Sequence, residues 1–260
     1  MKRLIFLRKA SQTFFSLAFI YILWSAAYPL RSRIGPVLLF RLDPLITFLT
    51  SISARTLIGG LAYSLGMIIA TVILGRFFCG WMCPLGASID MAGSLGSRRP
   101  SFSEGAQRRL AIPKFIILGI ILIYSFRGIQ VAWMLDPTVI VSRFISLILN
   151  PNPYYFSHSV IILMFFLAVA GSAFFIRRLW CRAICPLGAL YALFARYAML
   201  GRVVRNCRDC RICKSDCRMG AIKDDAGYTK GECVLCMDCV YNCPEHAARF
   251  SFSSQPTAKG

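Results

Sequence analysis

The stretch from 207 to 244 reads Cys207-Arg-Asp-Cys210-Arg-Ile-Cys213-Lys-Ser-Asp-Cys217, then Cys233-Val-Leu-Cys236-Met-Asp-Cys239-Val-Tyr-Asn-Cys243-Pro244. Each half is C-x2-C-x2-C-x3-C, the spacing with which bacterial two-cluster proteins hold [4Fe-4S] cubanes, three thiolates of a run on one cluster and the fourth on the other. Two-residue gaps wrap a short loop around a cubane, and the three-residue gap turns the last sulfur toward the neighbour. Cys207, Cys210, Cys213 and Cys243 are therefore expected on one cluster, and Cys233, Cys236, Cys239 and Cys217 on the second. Paired C-x2-C steps also make four-thiolate zinc sites, but zinc gives no reason for two matching four-cysteine runs. Arg218 follows Cys217 where Pro244 follows Cys243.

The rest of the chain is predominantly apolar. The chain has 260 residues, 57% of them hydrophobic, a mean hydropathy of +0.61 and a formal net charge of +19. That is more apolar than a soluble domain of this length. The basic residues flank apolar runs or sit among the cysteines rather than lining a base-reading helix, so nucleic acid is disfavoured as a partner.

Four apolar runs have the length of membrane spans: Ser11 to Leu30, Thr56 to Gly75, Phe115 to Leu135 (interrupted by Arg127), and Ser159 to Ile176. Ala62, Gly66 and Ala70 suggest a small-residue face for close helix approach. Twenty-four Lys and Arg fall on the side of the N-terminus and six on the other. The positive-inside rule then places both termini and the cysteine-rich tail in the cytoplasm, in a multi-pass protein of the cell inner membrane.

The membrane part contains an internal resemblance. Leu42-Asp43-Pro44 is matched by Leu135-Asp136-Pro137, and Arg76-Phe-Phe-Cys79-Gly-Trp-Met-Cys83-Pro-Leu-Gly-Ala87 by Arg178-Leu-Trp-Cys181-Arg-Ala-Ile-Cys185-Pro-Leu-Gly-Ala189. The fold expected is an all-α transmembrane bundle of four helices built from a duplicated two-helix unit (about 11–87 and 115–189, within 1–189). An interfacial helix over 190–204, a small α+β ferredoxin-like two-cluster domain over 205–250 and a disordered tail over 251–260 follow. Ser88 to Lys114 reads as a polar connecting loop.

Cys79 with Cys83, and Cys181 with Cys185, are each four apart, which on a helix puts both sulfurs on one face. The Pro and Gly after each second cysteine mark where that helix stops. The four thiols could converge as one metal or cluster site, act as redox thiols, or be structural. Asp43 and Asp136 precede prolines and suit helix caps, and could also take the proton of a quinol hydroxyl.

Two C-x3-C-P motifs, the paired Asp-Pro elements and the eight-cysteine tail together resemble the NapH/MauN family of membrane ferredoxin-type proteins. The resemblance implies a quinol dehydrogenase component with two [4Fe-4S] clusters on the eight tail cysteines. Quinol is its substrate, and its partners are the quinol pool and another redox protein, an iron-sulfur or cytochrome subunit of a respiratory pathway such as periplasmic nitrate reduction. Cys79, Cys83, Cys181 and Cys185 are then the family's motif cysteines. Alternatives on the same residues are a reductase that supports maturation of a partner's metal centre, and transfer from a cytoplasmic donor to quinone.

Overall fold

A computed structural model describes residues 2–25, 40–57, 59–95, 103–149, 156–205, 207–208 and 210–252. The expected disordered tail lies almost wholly outside them. Among the described residues the apolar part contains ten α-helices: α1 (Lys2–Ser25), α2 (Pro44–Ala54), α3 (Leu61–Leu74), α4 (Phe77–Trp81), α5 (Pro84–Leu95), α6 (Glu104–Phe126), α7 (Pro137–Leu149), α8 (Phe156–Phe175), α9 (Leu179–Ala183) and α10 (Pro186–Ala195). The order from α1 to α5 recurs from α6 to α10: a long helix, a helix opened by Asp-Pro, an apolar helix, a five-residue helix carrying a cysteine, and a helix opened by Cys-Pro.

Local chemistry sets these boundaries. The Asp43 carboxylate accepts from the backbone N–H groups of Leu45 (3.0 Å) and Ile46 (3.4 Å), and Pro44 occupies the first helical position, where its missing N–H costs nothing. The Asp136 carboxylate does the same for α7, accepting from Thr138 N at 2.8 Å and Val139 N at 3.3 Å. Helix α6 starts at Ser103, whose hydroxyl caps Ala106 N, with Glu104 in the first turn favoured by the helix dipole.

Several expectations change here. The loop expected over 88–114 is helical at both described ends, since α5 runs to Leu95 and α6 begins at Glu104. The run expected to cross as Phe115 to Leu135 ends at Phe126, and exposed Arg127 is its C-cap rather than a charge inside a span. The interfacial helix expected over 190–204 is instead the buried second half of α10, with Tyr191 and Ala195 inaccessible to solvent, followed by a strand. Among the described residues, α6 is the one helix with the length and apolar composition of a membrane span, and α2, α3, α7 and α10 are 10–14 residues long. At Gly66 the small-residue face on α3 meets no described neighbour, for nothing lies within 4 Å of a side chain built there. Gly66→Ala should therefore stabilise by roughly 0.5–1 kcal/mol, through helix propensity alone, as read by thermal unfolding.

The tail folds as a small α+β module. Strand β1 (Gly201–Val204) pairs antiparallel with β2 (Ala248–Ser251), Gly201 opposite Ser251 and Val204 opposite Ala248, so the module closes from its two ends. Between them lie α11 (Ile212–Ser215), α12 (Asp238–Tyr241) and a bridge from Ile222 to Tyr228 across the turn at Asp225–Gly227.

Candidate functional site

In each cysteine run the residue after the second cysteine takes a left-handed backbone conformation, Arg211 at φ 58° and Met237 at φ 62°. That kink opens α11 and α12 and brings the third cysteine of each run back toward the first two. Cys207, Cys210, Cys213 and Cys243 line one cavity. Cys217, Cys233, Cys236 and Cys239 line a second. Four thiols in each cavity, three from one run and one from the other, are the donor set an all-thiolate cubane needs. Ala221 N donates to Cys217 Sγ at 3.2 Å and Ala247 N to Cys243 Sγ at 3.3 Å, so the two crossing cysteines receive equivalent amide hydrogen bonds. Burial pushes the Cys239 thiol up to about 11, so these sulfurs become thiolates when a cation offsets their charge.

The two cavities differ in setting. Cys207 and Cys210 are exposed, beside Arg205, Arg208 and Arg211, whereas Cys236 and Cys239 are buried. The loop carrying Cys236 sits on the bundle: Trp81 Nε1 donates to Leu235 O (3.0 Å) and Arg8 Nη1 to Cys236 O (2.9 Å). The Val234 carbonyl lies so close to Gly80 that a Cβ there would stand 2.0 Å from it.

Gly80 follows Cys79, so this loop rests next to the four bundle cysteines, all buried and all in one core cluster with Leu85, Leu187 and Tyr191. Cys79 and Cys181 lie on α4 and α9, while Cys83 and Cys185 stand at the starts of α5 and α10. The expectation that each pair shares one helix face is corrected by the proline: Pro84 and Pro186 open a new helix rather than ending the old one. Cys83 Sγ accepts from Gly86 N (3.4 Å) and Cys185 Sγ from Gly188 N (3.2 Å), as thiol caps of those helices. Among the described residues no three Cys, His, Asp or Glu side chains close on a point as a single metal ion would require.

A buried ionic network, not foreseen from local spacing, locks the module to the bundle. Arg178 donates to both oxygens of Asp90 (2.8 and 2.7 Å) and to Cys79 O (2.9 Å). Arg8 (2.5 Å) and Arg218 (3.2 Å) converge on the same carboxylate, and both also pair with Asp238 of the module. Burial alone would raise the Asp90 carboxyl, but Arg178, with Arg218 and Arg8, holds it far below the usual carboxylate range. Arg76 matches Arg178 in the other half, and the residue matching Asp90 is Ala192. The module supplies the missing acid: Glu232 pairs with Arg76 (3.1 Å) and Lys114 (2.5 Å), and Gly231 packs so closely that a Cβ there would stand 2.8 Å from Ala192 O. The signal was present in the sequence, because only four acidic residues precede position 201: Asp43, Asp90, Glu104 and Asp136.

With this geometry in view, known proteins supply the comparison. The family described as 4Fe-4S binding domain matches twice, at 56–103 and 159–206, each match centred on a C-x3-C-P motif and ending before the tail cysteines. The ferredoxin-type protein NapH of Escherichia coli is 28% identical over 94% of this chain and 75% of its own length. The chain is a homologue of the NapH ferredoxin-type proteins. Protein NirI of Paracoccus denitrificans is 32% identical over 62% of the chain, which spans about a quarter (24%) of NirI. An uncharacterised protein of Methanocaldococcus jannaschii is 28% identical over 72% of the chain and 76% of its own length. No solved structure matches. The chain is thus an iron-sulfur electron-transfer protein related to NapH and NirI.

Proposed function

We propose that this NapH homologue is a multi-pass membrane protein that oxidises quinol and passes electrons toward a respiratory reductase pathway, with both termini and the cysteine-rich module in the cytoplasm. The observation that carries the reading is the seating of the Val234–Cys236 loop on Gly80 and Trp81, which sets a four-cysteine cavity of the module beside the bundle cysteines. Support for the membrane comes from the large apolar side chains left uncovered on the long helices, among them Phe14 and Trp24 on α1, Ile123 on α6 and Met164 on α8. The recurrence of the five-element order supports a duplicated unit whose halves are related by an axis along the membrane normal.

In this reading Cys207, Cys210, Cys213 and Cys243 hold one [4Fe-4S] cluster and Cys217, Cys233, Cys236 and Cys239 the other. When bound, the clusters supply one-electron carriers. In this reading their order runs from the membrane outward, supported by the buried cavity against the bundle and the exposed one among Arg205, Arg208 and Arg211, a surface suited to an acidic redox partner. Cys79, Cys83, Cys181 and Cys185 form the redox or metal site at the membrane edge.

Anaerobically isolated protein should contain iron and acid-labile sulfide. Cys210→Ser and Cys236→Ser should each remove about half of that iron, because each touches a different cluster. Zinc in place of iron and sulfide would overturn the ligand assignment. In inverted vesicles a quinol analogue should reduce the iron-sulfur signal, and its failure where dithionite succeeds would overturn quinol oxidation.

A further inference from the structure

A cleft of about 940 Å³ opens where α6, α10 and the cysteine-rich module meet. Its size is that of a small-molecule site, and none of the twelve cysteines lines it.

The walls change character along their length. Glu104, Arg108, Ile112 and Phe115 recur every three to four residues and so form one face of α6, charged over its first turn and apolar over the next two. On α10, Arg196 and Leu193 repeat the change one turn apart. Ile112, Phe115 and Leu193 are all exposed. Beyond them Ile116, Ile120 and Ile123, also exposed, continue the apolar stripe along the one described helix with the length and composition of a membrane span. The cleft thus has a charged end at the start of that helix and an apolar end that runs on into its uncovered surface.

The charges at the first end do not balance. Arg108, Arg182, Arg196, Lys223 and Lys230 line the cleft against two acids, Glu104 and Glu232. Glu232 is engaged by Arg76 and Lys114, and Glu104 accepts from the backbone N–H of Asp224 at 2.6 Å. Lys230 donates to Ala198 O at 3.1 Å. Among the described residues Arg108, Arg196 and Lys223 pair with no carboxylate. An anionic group is what this end lacks. A small free anion would use the charged end and leave the apolar walls bare, whereas an amphipathic anion uses both.

We propose that this cleft binds one anionic phospholipid, its headgroup phosphate among Arg108, Arg196 and Lys223 and its acyl chains along Ile112, Phe115 and Leu193. Basic pockets beside membrane helices on the cytoplasmic side take such headgroups. The inference rests on the membrane reading given above. Arg108 and Arg196 belong to the bundle and Lys223 to the module, so the lipid spans the joint between them. The site is complete only while the module is seated, and binding therefore stabilises the seated arrangement by mass action.

Delipidated full-length protein in detergent tests the site when titrated separately with phosphatidylglycerol, phosphatidylcholine and glycerol phosphate, with native mass spectrometry and thermal unfolding as readouts. Phosphatidylglycerol should be retained as a single copy, raise the unfolding midpoint and slow proteolysis between α10 and the module, and the other two probes should do none of this. Arg108→Gln and Lys223→Gln should each weaken retention about fivefold, and both side chains are exposed, so the fold is kept. Arg109→Gln removes an equal charge from an exposed position of the same helix outside the cleft and should change retention little. Equal retention of phosphatidylcholine overturns the proposal by making the cleft an ordinary lipid contact. An equal midpoint shift with glycerol phosphate overturns it in favour of a soluble anion. A loss in Arg109→Gln as large as in Arg108→Gln overturns it by showing diffuse surface attraction. Release of the protein from native membranes by alkaline carbonate overturns the membrane reading instead, while a chain that stays in the membrane without preferring phosphatidylglycerol overturns the site alone.

Discussion

Asp90→Asn should unseat the cysteine-rich module and cost the protein about 3–5 kcal/mol, the range for removing one partner of a buried ion pair. The Asp90 side chain is 8% exposed and faces Arg8 and Arg178, themselves 3% and 1% exposed, with Arg218 at the margin. Asparagine preserves shape and can satisfy part of the hydrogen bonding, but it leaves Arg8 and Arg218 with Asp238 as their remaining acid and removes the carboxylate that Arg178 pairs with. The loss should appear as a lower midpoint in denaturant unfolding and as faster proteolysis between α10 and the module. Because Arg178, Arg218 and Arg8 depress the Asp90 carboxyl below its unfolded value, this contribution is complete above about pH 4 and is lost only as pH falls toward the much lower folded value. Acid sensitivity at pH 5 would contradict it. Glu245→Gln is the control, since Arg208 and Glu245 pair at 3.2 Å while 79% and 39% exposed, and such a pair contributes about 1 kcal/mol at most.

Gly80→Ala should have the next largest effect, through packing instead of charge. A methyl at Gly80 would stand 2.0 Å from the Val234 carbonyl oxygen, and backbone on both sides leaves no flexible side chain to yield. Overpacking of this kind costs roughly 1–3 kcal/mol and sometimes more, and relieving it means lifting the Val234–Cys236 loop off the bundle. The variant should keep its helical circular dichroism and lose the hydrogen bond from Trp81 to Leu235, which tryptophan fluorescence reports. It should also slow electron exchange between bundle and module. Unchanged stability together with unchanged exchange would show that this contact is not where the two parts communicate.

The parts of the protein written in short-range spacing could be read directly. Cys207 to Cys243 specify their loops within a few residues of each ligand, and Asp43-Pro44 and Asp136-Pro137 announce helix starts that the backbone N–H groups of the next turn complete. Ser103-Glu104 carries an equally local start signal, masked in the reading by the basic and small residues around it. Pairings across long separations could not be read that way. Arg178 finds Asp90 across 88 positions and Arg76 finds Glu232 across 156, and nothing near either arginine names its partner. Their place inside the matched C-x3-C-P segments, together with the scarcity of acids, was the usable clue. Pro84 and Pro186 were legible as breaks but not in sense, because proline both ends one helix and suits the first turn of the next.

The substitution of Glu232 for an absent acid at Ala192 bears on how the molecule is put together. Arg76 and Lys114 are both fully buried beneath the module, and Glu232 is the acid that pairs with each of them. Until translation has delivered that carboxylate, the bundle holds two cations without it, Arg76 from its first half and Lys114 from α6. The later-synthesised module is thus the keystone of the earlier bundle, and a chain cut at the end of α10 would be left with an open seam along the face that carries its cysteines.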